Sequence, residues 1–182
     1  NKDAPTLMWQ IKGGTTTGFK QLGQTWSAPI KTKIKIDDTI TDVLIFAGGY
    51  DDVKQDALNQ ADSVSTPDDR GNALYIVNAR TGALIWSASN VSGHSVQLAK
   101  MKYSIPSTVR AIDLQQKDGG LTSDPEQLAD QIFFGDMGGQ VWRFFINNGS
   151  SGAALVSPGG DNGDGVFASL GGSDPASARR LY

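Results

Sequence analysis

The sequence predicts an all-β chain built from a repeated sheet. Three observations carry this expectation. A strand-and-turn phrase occurs twice. Its first copy is Val43-Leu44-Ile45-Phe46-Ala47-Gly48-Gly49, then Ala73-Leu74-Tyr75-Ile76-Val77-Asn78-Ala79-Arg80-Thr81-Gly82, then Ala83-Leu84-Ile85-Trp86; its second is Gln131-Ile132-Phe133-Phe134-Gly135-Asp136, then Gly139-Gln140-Val141-Trp142-Arg143-Phe144-Phe145. The apolar runs are short, rich in aromatic and β-branched residues, and bounded by Gly, Asn or Asp, which is strand punctuation. No stretch sustains a helical period; the one helical hint, with Val53, Ala57, Leu58 and Ala61 on one side of residues 52–62, sits inside a loop. A strand, glycine turn, strand unit that recurs is the mark of a β-propeller.

Aligning the copies places each element. Blade one, about residues 25–88, takes strand A at 25–36, B at 42–48, C at 73–78 and D at 83–87. Lys31, Lys33 and Lys35 alternate in strand A as one solvated face would. Blade two, about residues 103–170, takes A at 103–113, B at 130–135, C at 140–146 and D at 165–170. Leu7-Met8-Trp9-Gln10-Ile11 resembles the D strand of an earlier blade, and Arg179-Arg180-Leu181-Tyr182 the start of a later one. Runs such as 43–46 are apolar at successive positions, which suits a sheet packed on both faces, as a blade wedged between neighbours is. Trp9, Trp26, Trp86 and Trp142 are expected to pack between blades.

The connections differ. Blade one carries roughly 20 extra residues between B and C, polar and turn-rich, from Tyr50 to Asn72. Within it Tyr50, Asp51 and Asp52 follow the Gly-Gly turn and form the candidate partner-binding loop; a solubilising loop is the plainer reading. Blade two has a long acidic segment before strand B, and residues 147–165 read as a flexible Gly/Ser/Asn/Asp-rich connection. Asp161-Asn162-Gly163-Asp164-Gly165 reads as a turn entering a strand. Two blades with flanking strands do not close a ring of about four to eight. Together with a start at Asn1-Lys2-Asp3, without Met or a signal peptide, this makes the whole of 1–182 an expected fragment of one propeller domain.

Bulk properties narrow the function. The 182 residues are 38% hydrophobic and 19% charged, which is a globular composition. Net charge is −3 with no Lys/Arg cluster, so no nucleic acid is expected as partner. Cysteine is absent, which removes disulfides and thiolate zinc sites. No apolar run reaches the length of a membrane span. The lone His94 has no Gly-x-Ser-x-Gly elbow to serve, and reads as a surface residue. The Gly135–Gly139 turn leads into a strand, so it lacks the helix N-terminus of a phosphate cradle. No enzyme activity is expected.

Two resemblances follow from the motifs. Asn78-Ala79-Arg80-Thr81-Gly82-Ala83-Leu84-Ile85-Trp86 looks like the repeat of quinoprotein-type propellers, which quinone-cofactor (PQQ-type) dehydrogenases share with non-catalytic periplasmic scaffolds for outer-membrane assembly. More specific is an ordered set: Thr25-Trp26-Ser27-Ala28-Pro29, Ile45-Phe46-Ala47-Gly48-Gly49-Tyr50-Asp51, Leu74-Tyr75-Ile76-Val77, Ser104-Ile105-Pro106-Ser107-Thr108-Val109, Phe134-Gly135-Asp136-Met137-Gly138-Gly139-Gln140-Val141-Trp142-Arg143-Phe144 and Arg179-Arg180-Leu181-Tyr182. In that order, over nearly the whole chain, it resembles the C-terminal propeller of PilY/PilC-type type IV pilus biogenesis factors and tip adhesins.

That resemblance implies a modified seven-bladed propeller, secreted and carried at the pilus tip or outer cell surface. It implies roles in pilus extension, twitching motility and adhesion, with minor pilins or other tip components and a host or abiotic surface as partners. It also implies an EF-hand-like calcium loop before the strand that ends in Gly-Asp. The matching positions are Asp113 as first ligand, Gln115 where Asp or Asn is usual, Asp118 in place of Lys117 by a one-residue shift, and Asp130 as last ligand. An ordinary solvated acidic loop also fits these residues.

Overall fold

The computed structural model describes residues 4–55, 66–114 and 127–171. Ten strands form two sheets. The first sheet is β1 (Ile30–Ile36), β2 (Thr39–Ala47), β3 (Ala73–Asn78), β4 (Leu84–Ser89) and β5 (Val96–Gln97), in that spatial order. The first four are an antiparallel meander; β5 joins β4 in parallel. The second sheet contains β6 (Arg110–Ile112), β7 (Gln131–Gly135), β8 (Gln140–Ile146), β9 (Val156–Pro158) and β10 (Val166–Ser169). Here β6, β7 and β8 are antiparallel neighbours, and β9 and β10 both pair with β8. A short helix, α1 (Asp52–Gln55), follows β2.

Alternation along β2 explains why its apolar run is continuous. Val43, Ile45 and Ala47 face inward with Leu74, Ile76, Trp86 and Ala88, against Ile132, Phe134, Trp142, Phe144 and Ile146 of the second sheet. The Trp86 ring meets Phe144 edge-on at 5.8 Å, so the sheets are stacked with aromatic groups between them. Leu44 and Phe46 face the other way with Ala73, Tyr75 and Val77, and Phe19 and Leu22 cover them. Phe19 packs on Tyr75 at 5.0 Å and on Phe46 at 6.5 Å. The first sheet is therefore buried on both faces, as expected of a blade.

What covers its outer face differs from the expectation. Residues 7–11 form no strand. Leu7 and Met8 are exposed, and Trp9 rests on the Thr81-Gly82 turn, where a Cβ on Gly82 would fall 2.6 Å from the indole. The Trp9 Nε1 donates to the Ala79 carbonyl at 3.2 Å. An irregular segment stands where a neighbouring strand was expected.

Strand A of each blade is shorter than the sequence predicts. In blade one it starts at Ile30, since Pro29 offers no N–H to a ladder. In blade two only Arg110–Ile112 pairs with β7; residues 104–105 bond elsewhere, Ile105 exchanging hydrogen bonds with Gly49 of blade one at 3.1 and 3.0 Å. The blade-one free edge is also tied to blade two. Ala129 N donates to Lys33 O at 3.0 Å, and Gly149 N to Lys35 O at 2.9 Å.

Residues 147–165 are not a plain flexible connection. They hold a 3-10 turn (Gly152–Leu155) and β9, with Leu155 and Val156 buried. Strand D of blade two is split by this arrangement. β9 pairs with the Phe144–Ile146 end of β8 and β10 with the Gln140–Trp142 end. Between them residues 160–164 bulge out, while Gly165 N donates to Gly159 O at 2.8 Å to close the neck. The described chain is nearly all β, with two stacked sheets and no closed barrel: a partial β-propeller.

Candidate functional site

The glycines after β2 build the site. Gly49 has φ +90°, and a Cβ there would fall 2.0 Å from the Gln24 carbonyl oxygen. Only glycine allows the approach that lets Gln24 and Tyr50 exchange backbone hydrogen bonds at 2.9 and 2.8 Å. The side chains that follow are fixed by this bridge. Tyr50 stacks on Trp26 with ring centres 4.9 Å apart and planes 20° apart. Trp26 Nε1 donates to Gln24 Oε1 at 3.3 Å. Trp26 nonetheless remains 68% exposed, so it does not pack between blades as the sequence suggested. It lies on the irregular run before β1, outside both sheets, whereas Trp86 and Trp142 are fully buried in strands.

Asp51 corrects a second expectation. Its side chain is fully buried, so it presents nothing to a partner. Oδ1 accepts from Val53 N at 3.2 Å and Lys54 N at 3.3 Å, which starts α1; Oδ2 accepts from Asp69 N at 2.8 Å and Arg70 N at 3.2 Å. One carboxylate thus ties the two ends of the blade-one insertion together. Asp52 is half-buried and lies 3.9 Å from the Arg70 guanidinium, which is also 3.9 Å from Asp51. Of the three predicted loop residues, Tyr50 and Asp52 remain near the surface.

A buried polar set, not anticipated from sequence, continues from Asp51. Asp68 Oδ2 accepts from Ser104 N, Asn72 Nδ2 donates to Asp68 O at 3.0 Å and to Asn90 Oδ1 at 2.8 Å, and Gln21 Nε2 donates to Asp69 O at 3.0 Å. Beside it lies a cleft of about 740 Å³ lined by Lys20, Asp68, Asp69, Asn90, Ser92 and His94 among others. His94 is not a simple surface group. Its Nδ1 lies 2.9 Å from Ser87 Oγ, its ring is 6.0 Å from Tyr75, and burial lowers its pKa. Burial also pushes the Tyr75 hydroxyl up. Ser87 is buried, so the His94–Ser87 pair has no exposed nucleophile.

The expected calcium loop is only partly in view. Gln115 and Asp118 lie outside the described residues. Asp113 is exposed, and Asp130 Oδ2 accepts from Leu114 N at 2.9 Å, which brings the two ends of the loop together. No group of three or more potential metal-binding side chains is found among the described residues. The 161–165 stretch is the expected turn: Asp164 Oδ1 accepts from Val166 N at 3.0 Å, and Lys100 lies 2.7 Å from Oδ2, holding the Asp164 pKa down.

The Gly135–Gly139 turn holds an acid whose role is structural. Asp136 is buried and accepts from Gln140 N at 2.9 Å, Gln140 Nε2 at 2.7 Å and Trp142 Nε1 at 2.9 Å. Burial raises its pKa and these bonds oppose the rise.

No family model matches the chain, and none of the curated proteins does. Among solved structures it is similar to the crystal structure of the Pseudomonas aeruginosa PilY1 C-terminal domain, with a TM-score of 0.48 and 19% identity. The match covers 94% of this chain and 30% of that one.

Proposed function

We propose that this chain is a binding and assembly module of a PilY/PilC-type type IV pilus factor, and not an enzyme. The carrying observation is the ordered motif set, which resembles that family from Thr25 to Tyr182 in one unbroken order. The strand arrangement supports the reading, because the 45–47, 74–77, 134–135 and 140–144 stretches of those motifs fall on strands of two stacked blades. In this reading the protein is secreted and sits at the pilus tip or outer cell surface. Its blades form a stiff support, its loops engage minor pilins or other tip components, and further loops touch a host or abiotic surface. Pilus extension, twitching motility and attachment are the activities it serves. The described residues contain no helix long and apolar enough to cross a membrane.

Calcium belongs to the same proposal. Asp113, Gln115, Asp118 and Asp130 would hold it, ordering the loop and coupling ion occupancy to pilus extension. Calorimetry should register calcium binding, and Asp130→Asn should weaken it, since the amide still accepts from Leu114 N but carries no charge. No heat with the parent chain would remove this part. The main proposal is tested in the parent cell by deleting the segment that encodes this chain. Loss of surface pili and of twitching, restored by the intact gene, is expected. Unchanged piliation, twitching and attachment would overturn it.

A further inference from the structure

We propose that the open face of Trp26 is a stacking platform for a neutral, equatorially linked pyranose, such as a unit of a β-1,4-glucan. The proposal rests on three observations. The indole is 68% exposed although Tyr50 covers one of its faces, so the other face lies in solvent. The ring is held before any ligand arrives, by the Tyr50 stack at 4.9 Å and by the bond from Nε1 to Gln24 Oε1 at 3.3 Å. Its support is rigid, because Gln24 and Tyr50 are joined by paired backbone bonds across a point where only Gly49 fits. An exposed side chain normally gives up rotamer freedom when it binds; this one has already lost it.

The shape and charge of the platform select the ligand class. Two rings stacked nearly parallel leave one flat surface. A cage for a quaternary ammonium ligand encloses the charge with several ring faces, and here one is open. Of the neighbouring acids, Asp51 is buried under four backbone N–H groups and Asp52 faces the Arg70 guanidinium at 3.9 Å, which lessens their pull on an ammonium group. A stacked nucleobase brings a phosphate backbone, which a chain of net charge −3 disfavours. An equatorially linked pyranose presents a flat face of axial C–H bonds to the π surface and a rim of hydroxyls. Gln24 Oε1 is occupied by the indole, which leaves its amide nitrogen to donate to that rim.

The inference extends the adhesion reading but stands on this platform alone. The test is electrophoresis of the 182-residue chain through native gels containing soluble hydroxyethyl cellulose or galactomannan. Wild type should be retarded, with a blue shift of tryptophan emission on adding either polymer. Trp26→Ala should bind at least about tenfold more weakly, and Trp26→Phe should keep part of the binding. Far-UV circular dichroism of both variants should match wild type, since the indole lies outside the core. Gln24→Ala, which frees the ring edge, should weaken binding without changing the fold. Wild-type mobility unaffected by both polymers, or equal retardation of Trp26→Ala, would overturn the proposal. Trp26-dependent retention on a poly-L-proline column with no response to the polymers would do so too. Trp26→Ala should leave piliation intact, so failure here and failure of the pilus reading are separable.

Discussion

Three aspartates show how one side chain takes different roles with its surroundings. Asp51 is buried but accepts four backbone N–H groups, and so holds both ends of the blade-one insertion. Asp51→Ala should cost about 3 kcal/mol, because four charge-assisted bonds that hold the insertion are lost together. Thermal melting should then fall by roughly 5–10 °C. Asp136 and Asp164 predict opposite responses to pH. Burial raises the Asp136 pKa, so the folded state holds its proton longer than the unfolded chain does. Its contribution to stability therefore falls as pH rises from the unfolded value to the folded one. Asp164 is held low by Lys100, so its contribution is present above the unfolded value and lost as pH falls through the folded one; being near the surface it is small. Urea unfolding across acid pH should show a stability slope that becomes more positive in Asp136→Ala. An unchanged slope would mean that Asp136 does not titrate as described. That variant also strands the Trp142 Nε1 donor, so its stability at neutral pH should drop by about 2 kcal/mol.

At the scale of elements, the glycines separate positions that need their freedom from positions that also need their size. Gly49 and Gly93 both have positive φ, +90° and +93°. Nothing lies within 4 Å of a Cβ on Gly93, whereas one on Gly49 collides with the Gln24 backbone. Gly93→Ala should therefore cost about 1 kcal/mol in backbone strain alone, and Gly49→Ala about 2–4 kcal/mol. Gly49→Ala should also break the Gln24–Tyr50 bridge and change tryptophan emission, while Gly93→Ala leaves it alone. Equilibrium unfolding of the two variants side by side checks both. The second sheet has its own device. Arg143 sits 4.9 Å from the ring centres of both Phe145 and Phe167, on the face turned away from blade one. That face alternates with the buried one along β7 and β8, which is why Phe133 and Phe145 are only half-buried beside buried neighbours.

Across the whole molecule, the two blades share one core and several backbone ties. Trp86 of the first sheet meets Phe144 of the second, and Ile105 of blade two bonds to Gly49 of blade one. Unfolding should accordingly be a single transition by circular dichroism and fluorescence. Trp86→Ala removes the largest side chain at the junction and should cost about 3–5 kcal/mol. The transition should then broaden or split. A single sharp transition at the wild-type midpoint would show that the junction does not couple the sheets.

The strands of both blades were legible in the sequence because alternation, aromatic content and glycine turns are local properties. The centres of β2, β3, β7 and β8 fall where the repeated phrase puts them, with ends shifted by a few residues. The sequence also marked the segment after Gly49 as the place where loop chemistry collects. Only tertiary structure decided which way each residue there faces. Asp51 is buried because backbone donors from distant residues 69 and 70 converge on it, and Trp26 is exposed because its segment crosses outside the sheets. The cover of residues 9–22 on the outer face and the split strand formed by β9 and β10 have the same origin. Both depend on contacts between residues far apart in the chain, and a local pattern carries no record of those.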